Sequence, residues 1–161
     1  AMDIGGGTNY TAMGASRLKS VPYALHAGKA ESIIEKRYSV GDRALGGVVF
    51  YTNDAGTHGL IVTNDDQKSN TGWYDAHNDL NNPNKHDDAG QSFFDWRIPT
   101  KFELNLMYER KGIIGNFTRA NYWSSSEYEN GDSAWAQNFG DGEQKIQDKS
   151  TENFLRLIRV F

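Results

Sequence analysis

"DWRIPTKFELNLMYE", residues 95–109, decides how this chain is partitioned. Pro99 disfavours helical angles at the residue before it, so Ile98 arrives extended. Thr100 and Glu103 have the T-x-x-E spacing of a capping box. In that motif a hydroxyl and a carboxylate each satisfy a backbone N–H that the first helical turn leaves bare. Leu104, Met107 and Tyr108 then fall at i, i+3 and i+4, one buried stripe, and Gly112 is expected to end the helix. The stretch predicts a strand-to-helix hinge, and these mechanical needs alone account for its Pro-Thr step.

Upstream, "ALGGVVFYTNDAGTHGLIVTN" (44–64) reads as a hairpin. Val48 to Tyr51 and Leu60 to Val62 are β-rich runs separated by Asn53-Asp54-Ala55-Gly56, and their continuous apolar character predicts burial on both faces. Residues 65–95 are dense in Asn, Asp and Gly and read as one long loop, a feature that is often functional. Residues 1–37 read as a linker and short helical stalk. Gly5-Gly6-Gly7 holds no regular structure by itself, and "VPYALHAGKAESIIEK" (21–36) is a helix with Pro22 at its first position. Its weak apolar stripe, Leu25, Ala27, Ala30, Ile33 and Ile34, suits packing on the domain or on other copies. Downstream, residues 121–148 hold two turn signals, Asn130-Gly131 and Asp141-Gly142, between short strands. "NFLRLIRVF" (153–161) reads as a final strand.

The chain has 161 residues, enough for one domain, 38–161, with an appendage. Only 37% of residues are hydrophobic, so the 12% that are aromatic must supply much of the core. A net charge of −4 provides no field to draw nucleic acid or anionic lipid. No apolar run reaches the length of a membrane span, so membrane insertion is not expected. There is no cysteine, which excludes disulfides, thiolate catalysis and cysteine metal sites. The first residues carry no signal peptide and read as a stretch from inside a longer protein.

Several blocks in one order resemble a known family. They are Val40-Gly41-Asp42, Gly46 to Tyr51, His58 to Val62, Asp95 to Thr100, Glu103 to Tyr108, Tyr122 to Glu127, Ala134-Trp135, Asn138-Phe139, Asp141-Gly142 and Arg156 to Phe161. Residues 38–161 are similar to the major paralogous domain of Bacteroidetes surface and fibre proteins, and to the C-terminal region of a bacterial collagen-like adhesin. The resemblance implies an α+β, C-type-lectin-like fold with its termini close together and a loop-rich face. Formylglycine-generating enzymes share that fold and carry a run like Arg97 to Glu103, but their chemistry needs a cysteine pair that this chain lacks. The expected function is therefore non-enzymatic: a glycan-binding adhesin or receptor-binding tip of a longer surface or fibre protein, extracellular or at the cell surface, and a homotrimer in its parent. A structural trimerising cap and a protein-binding module remain open. Related adhesins bind sulfated polysaccharides, a ligand that net negative charge disfavours unless Lys and Arg cluster locally.

Sugars require flat stacking partners together with fixed amides or carboxylates. Trp73, Tyr74, Tyr128, Asn130, Asp132 and Asp141 are the expected ligand contacts, on loops gathered at one face. Trp96, Trp123 and Trp135 are expected in the core. Asp75, His77, Asp79, His86, Asp87 and Asp88 offer oxygen and nitrogen donors, so calcium is possible at the 75–88 loop. EF-hand spacing is not met, and a solvated loop with no cofactor is the expectation. Asn82-Pro83-Asn84 reads as a solvated turn instead of a lectin calcium motif, and Ser124-Ser125-Ser126 as a strand instead of a nucleophile site.

Overall fold

The computed structural model describes residues 35–80, 93–129 and 131–161. The N-terminal helical segment expected over 21–36 lies outside the described residues. Glu35–Phe161 forms one compact unit.

Two sheets dominate. The first contains β1 (Arg43–Ala44), β2 (Gly47–Thr52), β3 (Gly59–Thr63) and β9 (Ile158–Val160), in the order β1-β2-β3-β9 and antiparallel throughout. The second contains β4 (Lys68–Thr71), β5 (Asn121–Glu127), β6 (Ser133–Asn138), β7 (Gln144–Asp148) and β8 (Asn153–Leu155), in the order β4-β8-β5-β6-β7. Its one parallel pair is β5 with β8. Three short helices complete the described residues: α1 (Trp73–Asp79), α2 (Lys101–Glu109) and α3 (Lys111–Ile114).

This architecture corrects the α+β, C-type-lectin-like expectation for the domain. The described fold is β-rich, and its longest helix has nine residues. Only one stretch after residue 35 combines a cap with a sustained 3.6-residue stripe. The remaining apolar residues run continuously or alternate, as strands do.

The hairpin of β2 and β3 forms as its composition predicts, with Val48, Val49, Phe50, Ile61 and Val62 at most 1% exposed. The Thr100–Glu103 capping box is present in both directions, and Leu104 and Met107 bury the stripe of α2. Each contributes roughly 1.5–3 kcal/mol by leaving water. The stop at Gly112 is corrected: α2 ends at Glu109, Gly112 lies within α3, and Gly115 carries the left-handed turn at φ +78. Residues 65–95 are likewise not one loop, since β4 and α1 lie within them.

The expected final strand is two strands in different sheets. Leu155, Arg156, Leu157 and Ile158 are all buried, although a strand covered on one face buries every second residue. The chain solves this by leaving the second sheet after Leu155 and joining the first at Ile158. Arg156 fills the corner between them, fully buried. Its Nε donates to Thr63 O (2.9 Å), one terminal nitrogen to Asp66 Oδ1 (2.8 Å) and Asn116 O (3.0 Å), and the other to Asn64 O (2.6 Å) and Gly115 O (3.2 Å). A guanidinium has five N–H donors, so none is wasted.

One core cluster, around Val48, Phe50, Leu104, Met107, Tyr122, Phe139 and Ile158, packs α2 against both sheets. A second, around Trp73, Ala76, Ile98, Trp123 and Leu155, lies under α1. Tyr38 packs edge-on against Phe161 (5.0 Å), and Gly59 exchanges two backbone hydrogen bonds with Phe161. The two described ends of this unit therefore meet at the turn end of the β2–β3 hairpin, where Tyr38 N–H also donates to Gly56 O at 2.8 Å.

Candidate functional site

The expected contact residues do not share one face. Trp73 opens α1, because Gly72 is extended at the N-cap and the helix then directs the indole inward. It is 7% exposed, and its Nε1 donates to Ser124 O at 2.8 Å. The expectation of an exposed Trp73 is thus corrected. Tyr74, one position on, is 60% exposed. Between the two rings lies Lys149, its Nζ 4.2 Å from the Trp73 centroid and 5.1 Å from that of Tyr74. The same ammonium donates to Glu127 Oε2 (2.6 Å) and Gly131 O (2.5 Å), and the Glu127 carboxylate holds its pKa above the ordinary lysine value. Tyr128 is half-buried, edge-on to Trp135, and the Asp132 carbonyl accepts from the Lys149 N–H.

Tyr74 and Asp132 therefore contact Lys149, Tyr128 packs on Trp135 in the turn that holds the Lys149 ammonium, and Asn130 lies outside the described residues. Asp141 is elsewhere. The 128–132 turn precedes β6 and the 139–143 turn follows it, and five strand steps of about 3.4 Å separate the two by roughly 17 Å. Asp141 Oδ1 caps its own turn by accepting from Glu143 N–H at 2.9 Å.

In the segment proposed for calcium, Asp75 and His77 belong to α1, and the Nδ1–H of His77 donates to Trp73 O at 2.9 Å. His86, Asp87, Asp88 and Asn82-Pro83-Asn84 lie outside the described residues. Among the described residues, no three His, Asp or Glu side chains are placed to share a metal ion.

Aromatic faces are largely taken by the protein's own cations. Lys36, Lys101, Lys111, Lys149, Arg156 and Arg159 each lie over a ring. A chain of this length typically has about two such contacts. Trp123, fully buried as expected, donates through Nε1 to Thr71 O at 2.8 Å. Trp96 and Trp135 are only partly buried, and Lys101 Nζ stands 3.0 Å from the Trp135 centroid. These residues brace the fold, and they leave few rings to stack on a ligand.

Phe102 is the most exposed of the described aromatic side chains, at 90%. With Lys101, Asn105 and Gln144 it lines a groove of about 350 Å³ between the start of α2 and β7. That volume lies at the lower end of the range for small-ligand sites. Among the described residues no carboxylate pairs with Lys101. Beneath the groove, fully buried Gln137 donates to Asn105 Oδ1 at 2.9 Å and Gly142 O at 3.0 Å. Gln144 donates to Lys101 O at 3.0 Å and to Gln137 Oε1 at 3.4 Å. Glu103, at the base of the same helix, pairs with both terminal nitrogens of Arg97. Burial opposes the charge on Glu103, but the bonds from Arg97 and Thr100 outweigh it and hold the carboxyl below its ordinary pKa.

Sequence reasoning missed this groove. One signal was available. Phe102 sits two positions before Leu104, off the buried stripe of α2, so a large aromatic there faces water. Nothing local pairs Gln144 with a helix that begins 43 residues earlier.

Fold and groove define a β-rich domain of two sheets, with a polar-floored groove where its main helix meets an edge strand. The chain belongs to the Lcl C-terminal domain family, whose model matches residues 51–159. No curated protein matches it.

Proposed function

We propose that this domain is a non-enzymatic ligand-binding module whose ligand is a glycan. The observation that carries the reading is the groove of Lys101, Phe102, Asn105 and Gln144, an exposed ring beside oriented amides and a cation that has no carboxylate partner among the described residues. The residues with shifted pKa values support a binding role over a catalytic one. Glu103 and Lys149 each tie two segments together, and Tyr122, pushed up chiefly by burial, binds Asp66 within the core. The resemblance to a bacterial collagen-like adhesin supports an extracellular or cell-surface setting at the tip of a longer fibre. The described ends meet at the β2–β3 pair, in the other sheet from the β7 that flanks the groove, which suits outward presentation.

A glycan array with the 161-residue chain tests the reading, and binding to a defined set of glycans is the expected result. Phe102→Ala should weaken it by about 1–3 kcal/mol, as loss of an aromatic anchor does. Tyr74→Ala should leave it intact. The opposite pattern would move the ligand to the pole around Lys149, which Tyr74 and Asp132 contact. A blank array overturns the glycan reading.

The second reading is a protein-binding module. Ile146, opposite Trp135 across the β6–β7 pair, is 43% exposed, and exposed apolar residues mark protein contacts when they join into a patch. Loss of a protein partner in Ile146→Asp, with no glycan bound by the wild type, would favour it. Homotrimerisation through residues 17–36 is part of the same proposal. Light scattering should return a trimer mass, and a monomer at all concentrations would remove it.

A further inference from the structure

The amide orientations around the groove follow from groups that can only accept. Lys101 O and Gly142 O are carbonyls, so Nε2 of Gln144 and Nε2 of Gln137 must face them. The Glu109 carboxylate takes Nδ2 of Asn105 at 2.9 Å, which turns Oδ1 of Asn105 towards the donor on Gln137. Three amide flips are thereby set by one self-consistent chain. Both N–H bonds of Gln144 are spent inward, on Lys101 O and Gln137 Oε1. Its Oε1 has no hydrogen-bond partner among the described residues, and Gln144 lines the groove, so this acceptor is unspent there. One N–H of Asn105 is also left, and Lys101, whose Nζ stands over Trp135, lines the same groove with its own donors.

We infer that the groove reads the vicinal diol of a pyranose ring, one hydroxyl donating to Gln144 Oε1 and its neighbour accepting from Asn105 Nδ2 or Lys101 Nζ, with the ring's apolar face on Phe102. A diol presents a donor and an acceptor on adjacent carbons, which matches an acceptor beside donors in one site. A lone carboxylate or sulfate cannot donate to Gln144 Oε1. The inference rests on the glycan reading and narrows it to one site and one chemical group. Gln137 acts through Asn105 and Gln144 and is a positioning residue.

The test uses agarose beads bearing neutral mannose, galactose or glucose, each before and after periodate, which cleaves vicinal diols. Binding to at least one untreated bead is expected, with a tenfold or greater loss after periodate. A similar loss is expected in Phe102→Ala and in Gln144→Met, each with an unchanged far-ultraviolet spectrum. Phe102 is exposed, so its variant keeps the test alive if Gln144→Met fails to fold. Tyr51→Ala, exposed on β2, should bind normally. For Gln137→Glu, NMR should show the side-chain amide signals of Asn105 moving together with the loss of binding. Binding that survives periodate, or that survives both groove variants, overturns the diol assignment while the glycan reading stands. No binding to any untreated bead also overturns it, and the glycan reading falls as well only if the array is blank.

Discussion

Arg156 and Asp66 form an ion pair of 2.8 Å in which the guanidinium has no exposure to solvent and the carboxylate keeps 17% of its own. Burying a cation is costly unless every donor is met, and Arg156 meets all five with one carboxylate and four carbonyls. The pair therefore fixes the point at which the chain changes sheets. Arg156→Lys would leave at least two of those acceptors without a donor. Each unmet buried group costs about 1–3 kcal/mol. A loss of at least about 2 kcal/mol in denaturant unfolding is expected, and a variant as stable as the wild type would show that the corner is held by packing alone.

Glu103 makes stability depend on acid. Its folded pKa lies below the ordinary value of 4.5. The contribution is therefore fully present above about pH 4.5 and is lost as pH falls through the lowered folded value. Melts from pH 7 to pH 3 should show a fall at the acid end that is shallower in Glu103→Gln. That variant should also start lower at pH 7, since Arg97 loses its charged partner. Parallel acid limbs for the two proteins would refute the assignment.

Core and groove aromatics should separate cleanly. Trp123→Ala empties a fully buried site and breaks the bond to Thr71 O, so a loss of roughly 3–5 kcal/mol is expected. Phe102→Ala removes a side chain that is 90% exposed and should change stability by under about 0.5 kcal/mol. Thermal melts of the two variants side by side check this. A destabilised Phe102→Ala would mean that the ring is a structural contact and not a ligand platform.

Chelation should not shift the melt. A metal bound only to the folded chain stabilises it by mass action, so a calcium site at 75–88 would give a lower midpoint in EDTA. The expected outcome is coincident melts with EDTA and with calcium. A drop of several degrees, reversed by calcium, would establish the site.

Local physics determined a good part of this protein. The capping box of Thr100 and Glu103, the Leu104–Met107 stripe and the β2–β3 hairpin are legible because each depends on residues within one turn or one pair of strands. Absence of cysteine excluded a whole chemistry without any structure. The tertiary fold decided the rest. Trp73 looked like a loop aromatic until α1 turned it into the core, where its Nε1 meets Ser124 O, 51 residues away. Residues 153–161 looked like one strand because apolar content does not say which sheet receives it. The corner appears only when Arg156 meets carbonyls contributed by residues 63–64 and 115–116. The groove likewise has no local signature. Its floor joins Asn105, Gln137 and Gln144 from a helix and two strands, and hydrogen bonds between side chains that far apart in sequence exist only once the sheets have been assembled.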